Sequence, residues 1–389
     1  MLAVGGCKEE EDTWDHPKKR LDRTLIFYMA AENSLSYFVN EDSSEIANSM
    51  TLLPEGCRAV MYIDDTKSSR LCVGTREHPM QTVKVYNRNV CSTDSTEMEA
   101  VLSEIIKRYP AKSYGLVLWS HASGWVFNHE QESSAPRRTF GIDNGNRSVS
   151  NSGRQMNITT LARILSHYPH FDFIFCDACF MQTIEVAYEL REVTDWFLGS
   201  PAEIPGSGAP YEYVMAAMGP SEVQPDLILE PYYDYYTYGI GFRNYRGAIL
   251  SAIKTSELPQ LAEATRPLVQ RLFANRNLLD CSWVQRYCPL VESDYFTEFY
   301  DMADIIRNHV SDEEFRQWWA ALMRAVPYRF ISTEWTTSYS SRPMHIYETD
   351  YIGAVSMFVP TQFYDDLGWM EKYHKLQWYE AVGMDKTGW

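Results

Sequence analysis

No apolar run in this 389-residue chain approaches the ~20 residues that a membrane-spanning helix requires, so an integral membrane protein is not expected. Basic residues are in short supply. Lys and Arg number 35 against 52 Asp and Glu, and the formal charge of −17 disfavours nucleic-acid backbones as partners while attracting basic groups at long range. Cysteine is sparse too: eight residues, at 7, 57, 72, 91, 176, 179, 281 and 288, cannot staple a chain this long, and several read as small buried hydrophobes. There is no internal repeat, which excludes solenoids and arrays. What remains is 45% hydrophobic and long enough to bury a large core, either as two domains or as one large domain with an appendage.

Two apolar runs carry the chemistry. Tyr114-Gly-Leu-Val-Leu-Trp-Ser-His121 and Phe171-Asp-Phe-Ile-Phe-Cys-Asp-Ala-Cys179 each read as a buried strand that delivers its last residue to the rim of a sheet, where open α/β folds keep their active sites. One rim offers an imidazole and the other a thiol, the minimum parts for nucleophilic acyl transfer. The Cys176-Asp-Ala-Cys179 spacing also fits a thiol oxidoreductase. Against that, Cys176 falls inside the apolar run at strand parity, so it should be buried while Cys179 emerges. Zinc held by this pair and His121 lacks the second short-spaced ligand pair that structural sites show, so no metal ligands are assigned.

Along the chain, strands alternate with helices. Residues 24–30, 58–63, 70–74, 114–121, 171–179 and 196–199 read as strands, and 37–53, 95–109, 158–167 and 181–191 as helical stretches. Repeated strand–helix–strand units predict an α/β fold with a mostly parallel sheet sandwiched by helices. From about 245 the pattern turns helical (258–273, 296–309, 312–325) before a late strand at 352–359. The expected organisation is a tether over 1–20, a catalytic domain over 21–245, and a smaller helical C-terminal subdomain over 246–389 that packs on and extends it.

Val4-Gly-Gly-Cys7 resembles a lipobox, with Cys7 as the lipidation site, although the residues before it are fewer than the roughly 7 to 15 of a full apolar leader segment. The acidic run after Cys7 resembles the surface-export signal of lipoproteins in Bacteroides-like bacteria. A leader remnant, a lipid anchor as the sole membrane contact, and a secreted or cell-surface location on a Gram-negative outer membrane are therefore expected. Between the two catalytic strands, residues 128–155 are rich in Ser, Gly, Asn and Pro and carry Arg137, Arg138, Arg147 and Arg154. An exposed segment of this kind is easily nicked, and it suits self-cleavage by a protease that cuts after basic residues. Arg147 and Arg154 are the preferred cut sites.

These residues resemble the clostripain-like cysteine peptidases, which share the caspase-like fold with gingipains and legumains. The resemblance rests on His121-Ala-Ser-Gly-Trp125, on Asp177-Ala-Cys179 followed by Phe180-Met-Gln-Thr-Ile-Glu-Val-Ala-Tyr-Glu-Leu190, on Tyr28-Met-Ala-Ala-Glu-Asn-Ser-Leu35, on Phe140-Gly-Ile-Asp143 and on Gly353-Ala-Val-Ser-Met-Phe-Val-Pro360. One departure is Ala122, where the wider group has glycine. The resemblance implies that Cys179 is the nucleophile, that His121 protonates the leaving amine, and that Asp177 selects Arg or Lys before the scissile bond. A thiolate in the first turn of a helix over 181–191 would be favoured by the helix dipole. Oxyanion donors would be the amides of Cys179 and of a residue just after His121. Glu203, in the loop after the next strand, is the candidate second acid. Partners would be protein or peptide substrates. No cofactor is expected, though some relatives bind calcium and a site of scattered loop carboxylates would not show as a contiguous motif. The competing readings are a catalytically silent surface lipoprotein of the same fold and the oxidoreductase above.

Overall fold

The structure, a computed structural model, describes residues 20–125, 139–239, 246–288, 299–338 and 340–389. Its centre is a nine-stranded sheet. In chain order the strands are β1 (Leu21–Ala31), β2 (Cys57–Asp65), β3 (Ser69–Thr75), β4 (Gln81–Val85) and β5 (Ala111–Trp119). A small separate pair follows, β6 (Phe140–Asp143) and β7 (Arg154–Met156). Then come β8 (Phe171–Asp177), β9 (Thr194–Gly199), β10 (Ile249–Lys254), the short β11 (Tyr300–Asp301) and β12 (Tyr328–Ile331).

The sheet order is β12-β10-β9-β8-β5-β1-β2-β3-β4. The inner strands β9, β8, β5, β1 and β2 are parallel, and antiparallel strands close both edges. Both faces are covered, as the continuous apolar runs require. In β1, Ile26 and Tyr28 join a core on one face, while Leu25, Phe27 and Met29 join a core on the other. The first core packs under α2 (Ser95–Arg108), α3 (Ile158–Leu165), α4 (Ile184–Leu190), α7 (Leu258–Leu272), α8 (Met302–His309) and α9 (Asp312–Ala325). The second packs under α1 (Val39–Asn48), α5 (Tyr211–Met218) and α6 (Pro225–Thr237).

Four features differ from the sequence reading. The helix expected over 181–191 starts only at Ile184, because Thr183 caps it by accepting from the Val186 amide. The late strand expected over 352–359 pairs only at Ser356–Met357, against β11. Residues beyond 245 contribute β10 and β12 to the central sheet in addition to helices. Helix α6 carries Pro231 in its interior and a run of tyrosines, both poor helix signals. Its burial of Ile228, Leu229, Tyr232 and Tyr236 along one face is what holds it helical.

Candidate active site

The register of the central strands builds the site. Trp119, the last residue of β5, pairs with Asp177, the last residue of β8. His121 and Cys179 each lie two residues beyond that pair, so neighbouring parallel strands present them side by side at their carboxyl ends. Both line one cavity of about 330 Å³, together with Ser34, Phe38, Trp119, Asp177 and the loop Glu203–Gly208. The Cys179 thiol faces the Ile204 carbonyl at 3.9 Å. The His121 Nε2 is hydrogen-bonded to the Ser34 hydroxyl at 2.8 Å.

Cys176 sits inside β8 opposite Leu118 and is buried, which pushes its thiol far above the ordinary value. Neither cysteine is in a disulfide. The CxxC therefore does not present a thiol pair to a common surface, and Cys176 is core. Because α4 begins five residues after Cys179, that thiol is outside its first turn, and the expected stabilisation by the helix dipole is not available. The segment between is instead a tight turn: Phe180 has φ 58° and donates its amide to the Ala202 carbonyl at 3.0 Å.

Ala122 keeps a negative φ, so alanine there costs no backbone strain. The left-handed position falls at Gly124 (φ 69°), where a Cβ would approach the Phe180 carbonyl to 3.1 Å. The Ser123 amide is engaged by the Thr139 carbonyl. Ala122, next after His121, keeps its place as the oxyanion candidate on that side.

Asp177 is buried in the cavity wall. It accepts from the Ala209 amide at 3.0 Å and from the Tyr211 hydroxyl at 2.7 Å, and desolvation pushes its pKa up to about 6. Gly208, at φ 57°, leaves the approach open, since a Cβ there would lie 2.6 Å from Asp177 Oδ2. Tyr236 holds this loop by donating to the Gly208 carbonyl at 2.7 Å. Behind the wall, Asp42 accepts from Trp119 Nε1 at 2.6 Å; burial, and then the charge of Asp177, raises it to about 9. Glu45 accepts the Tyr211 amide at 2.9 Å and is raised to about 7, again chiefly by burial. A cation entering this cavity would meet carboxylates that gain by its presence.

Glu203 also lines the cavity, but its carboxylate is engaged by the Thr337 hydroxyl and by the Ser338 amide at 2.8 Å. It anchors the 337–338 segment at the rim. Tyr211, Gly208, Ser34 and Asn151 were not singled out from the sequence. The one signal for the first two was the glycine-rich Gly206-Ser-Gly208 following Glu203.

The two arginines of the inter-strand segment lie in different settings. Arg154 is exposed and pairs with Asp94. Arg147, at φ 61°, turns its guanidinium onto Asp64 at 2.9 Å and Glu32 at 3.5 Å. Arg137 and Arg138, like Cys7, lie outside the described residues. Among the described residues, one group of three side chains could hold a metal: Glu32, Asp64 and Asp143, all buried, with carboxylate oxygens within 4.8 Å of one another. Protein donors serve part of it, while Glu32 Oε2 and Asp64 Oδ2 are buried without a hydrogen bond. Glu32 accepts the Asn146 and Arg147 amides at 2.6 Å, Asp64 accepts from Ser69 at 2.7 Å, and Asp143 accepts from Ser92 and the Gly145 amide. The Arg147 guanidinium stands beside these oxygens, so a calcium ion bound here would share the carboxylates with it. Among the described residues no helix is long and apolar enough to cross a membrane.

The model of the clostripain family matches residues 27–389. A search of curated proteins returns no match. Among solved structures, a secreted C11 cysteine protease from Bacteroides thetaiotaomicron, in complex with an irreversible peptide inhibitor, is 31% identical, with 94% of this chain and 99% of that chain covered and a TM-score of 0.79. An inactive zymogen C11 protease from Parabacteroides distasonis is 28% identical over the same shares, with a TM-score of 0.76.

Proposed function

Since the chain belongs to the clostripain family and is a cysteine protease, we propose that it hydrolyses peptide bonds after Arg or Lys through a Cys179–His121 dyad. The observation that carries this reading is the Trp119–Asp177 register pair, from which thiol, imidazole and buried carboxylate all reach one cavity. In this mechanism His121 takes the thiol proton, the thiolate attacks the scissile carbonyl, and the imidazolium returns the proton to the leaving amine. Water then hydrolyses the thioester. Asp177 receives the guanidinium or ammonium of the residue before the scissile bond. Glu203 shapes the rim, and its second-acid role is secondary to its hold on Ser338.

Activation by a cut within 128–155 extends the proposal, in keeping with the relative described as an inactive zymogen. Of the two candidates, Arg154 is the freer, with a side chain 61% exposed, whereas Arg147 must first leave the Glu32 and Asp64 carboxylates. The proposal includes a lipid anchor at Cys7 on a secreted, cell-surface protein; the lipobox-like Val4–Cys7 supports the anchor, and a relative described as secreted supports the location. The proposed chemistry uses side chains alone, and calcium, if bound, would have a structural part.

Irreversible peptide ketones ending in Arg, Lys or Asn test specificity and nucleophile together. The Arg or Lys probe should label the wild type, Cys179→Ala should take no label, and Asp177→Ala should lose labelling by about 10- to 100-fold, the worth of a charge-assisted hydrogen bond. Preferential labelling by the Asn probe, or labelling that survives Cys179→Ala, would overturn the reading.

A further inference from the structure

We infer that Ser34 is a positioning residue for His121, and that Asn151 clamps it there, so that the segment between the two catalytic strands holds the catalytic imidazole. The inference rests on the dyad proposed above.

Three adjacent parallel strands deliver the groups. The sheet order β8-β5-β1 places Cys179, His121 and Ser34 beyond the carboxyl ends of consecutive strands, with Met29 of β1 paired to Trp119 of β5. The Ser34 hydroxyl reaches His121 Nε2 at 2.8 Å. Proton exchange with the thiol and the leaving amine is assigned to the other imidazole nitrogen, Nδ1. In the imidazolium both ring nitrogens carry hydrogens, and Nε2–H needs an acceptor. Ser34 Oγ is that acceptor, fixing ring orientation and favouring the charged form.

The hydroxyl is itself held from two directions. Asn151 Nδ2 donates to Ser34 Oγ at 3.0 Å, and the Ser34 amide donates to Asn151 Oδ1 at 3.1 Å. Its chain neighbours are tied to the same segment. Glu32 accepts the Asn146 and Arg147 amides, and Asn33 Nδ2 donates to the Ile142 carbonyl at 2.8 Å. Three consecutive residues, 32 to 34, are thus each bonded to residues 142–151. Asn144 stiffens that segment internally by donating to the Ser148 and Ser150 carbonyls. A cut or a substitution that loosens 142–151 is therefore read at His121.

The test is the rate at which iodoacetamide alkylates Cys179 in the full chain, measured from pH 4 to 9 and corrected with Cys179→Ala. This readout needs neither a substrate nor knowledge of specificity. Asp177 and Glu203, the other ionisable groups lining the cavity, are unchanged in every variant. In the wild type the ion pair should keep the thiol reactive near pH 5–6, and His121→Ala should abolish that reactivity. Ser34→Ala should lower it by roughly 10-fold, the worth of one hydrogen bond to a charged group, and move the thiol titration upward. Ser34→Thr, which keeps the hydroxyl, should restore it, and Asn151→Ala should fall between. Equal profiles for wild type and Ser34→Ala, with His121→Ala inactive, overturn this inference alone. A wild-type profile in His121→Ala overturns the dyad and this inference with it. Thermal melting of Ser34→Ala shows whether the variant is folded; a loss that Ser34→Thr does not rescue also counts against the role.

Discussion

Asp177 is a carboxylate whose burial raises its pKa from 3.8 to about 6, and its proposed use requires the charged form. The folded protein binds this proton more tightly than the unfolded chain does, so stability falls as pH rises through that window. Holding the ionised group costs roughly 3 kcal/mol at neutral pH. A guanidinium in the pocket offsets that cost and pulls the pKa back down. The expected consequence is that kcat/KM for an Arg-ended substrate rises with pH through about 6, following the free enzyme, while the acid limb of kcat lies lower, because the bound cation favours the carboxylate. Alkylation of Cys179 by iodoacetamide, which does not use Asp177, should lack that limb. Coincident acid limbs in all three profiles would remove Asp177 from substrate recognition.

At the scale of elements, Arg147 and the carboxylates of Glu32, Asp64 and Asp143 anchor the segment between the catalytic strands. Desolvation and the neighbouring Asp143 push Asp64 upward, and Arg147 opposes the shift. Arg147→Ala leaves buried carboxylates without their cation and should destabilise the fold by about 3–5 kcal/mol in denaturant melts. If Arg147 alone supplies the positive charge, dialysis against a chelator should leave wild-type melting unchanged. A fall in melting temperature that calcium reverses would show that a metal holds this cluster. The sequence shows β5 and β8 plainly, because a buried parallel strand is one apolar run, and His121 and Cys179 each follow two residues after the strand ends. Asp177 was picked out by the family resemblance, whereas the placement of His121 and Cys179 side by side was legible for that reason. Ser34 and Asn151 were not, because their link depends on which strands are neighbours in space, and ladder order is not written in periodicity. Strands β10 and β12 escaped notice because each is short and flanked by strong helices, and α4 was drawn too long because Met181 and Gln182 suit a helix that the Thr183 cap begins later.

For the whole molecule, the proposed activating cut falls between the two central strands of the sheet. Strand β5 pairs with β1 on one side and β8 on the other, and the ladder between β5 and β8 runs from Gly115–Phe173 to Trp119–Asp177. A cut after Arg154 leaves β1–β5 on one fragment and β8–β12 on the other, joined by that ladder. Ile26, Tyr28, Leu116 and Leu118 from the first fragment share one continuous core with Phe171, Ile174, Leu261 and Trp318 from the second. The opposite face is shared in the same way by Phe27, Val117, Phe175 and Tyr211. Apolar burial on this scale, at about 25 cal/mol per Å², far exceeds what one chain break releases. The cut protein should therefore elute as a single species of unchanged size on native gel filtration, and separate into two fragments only in denaturant. A truncated chain ending at residue 245 should fail to fold, because it exposes the β9 edge where β10 pairs and loses α7 and α9 from the larger core. Fragments that part on a native column, or a stable and soluble 1–245 chain, would mean that the two halves fold as independent domains.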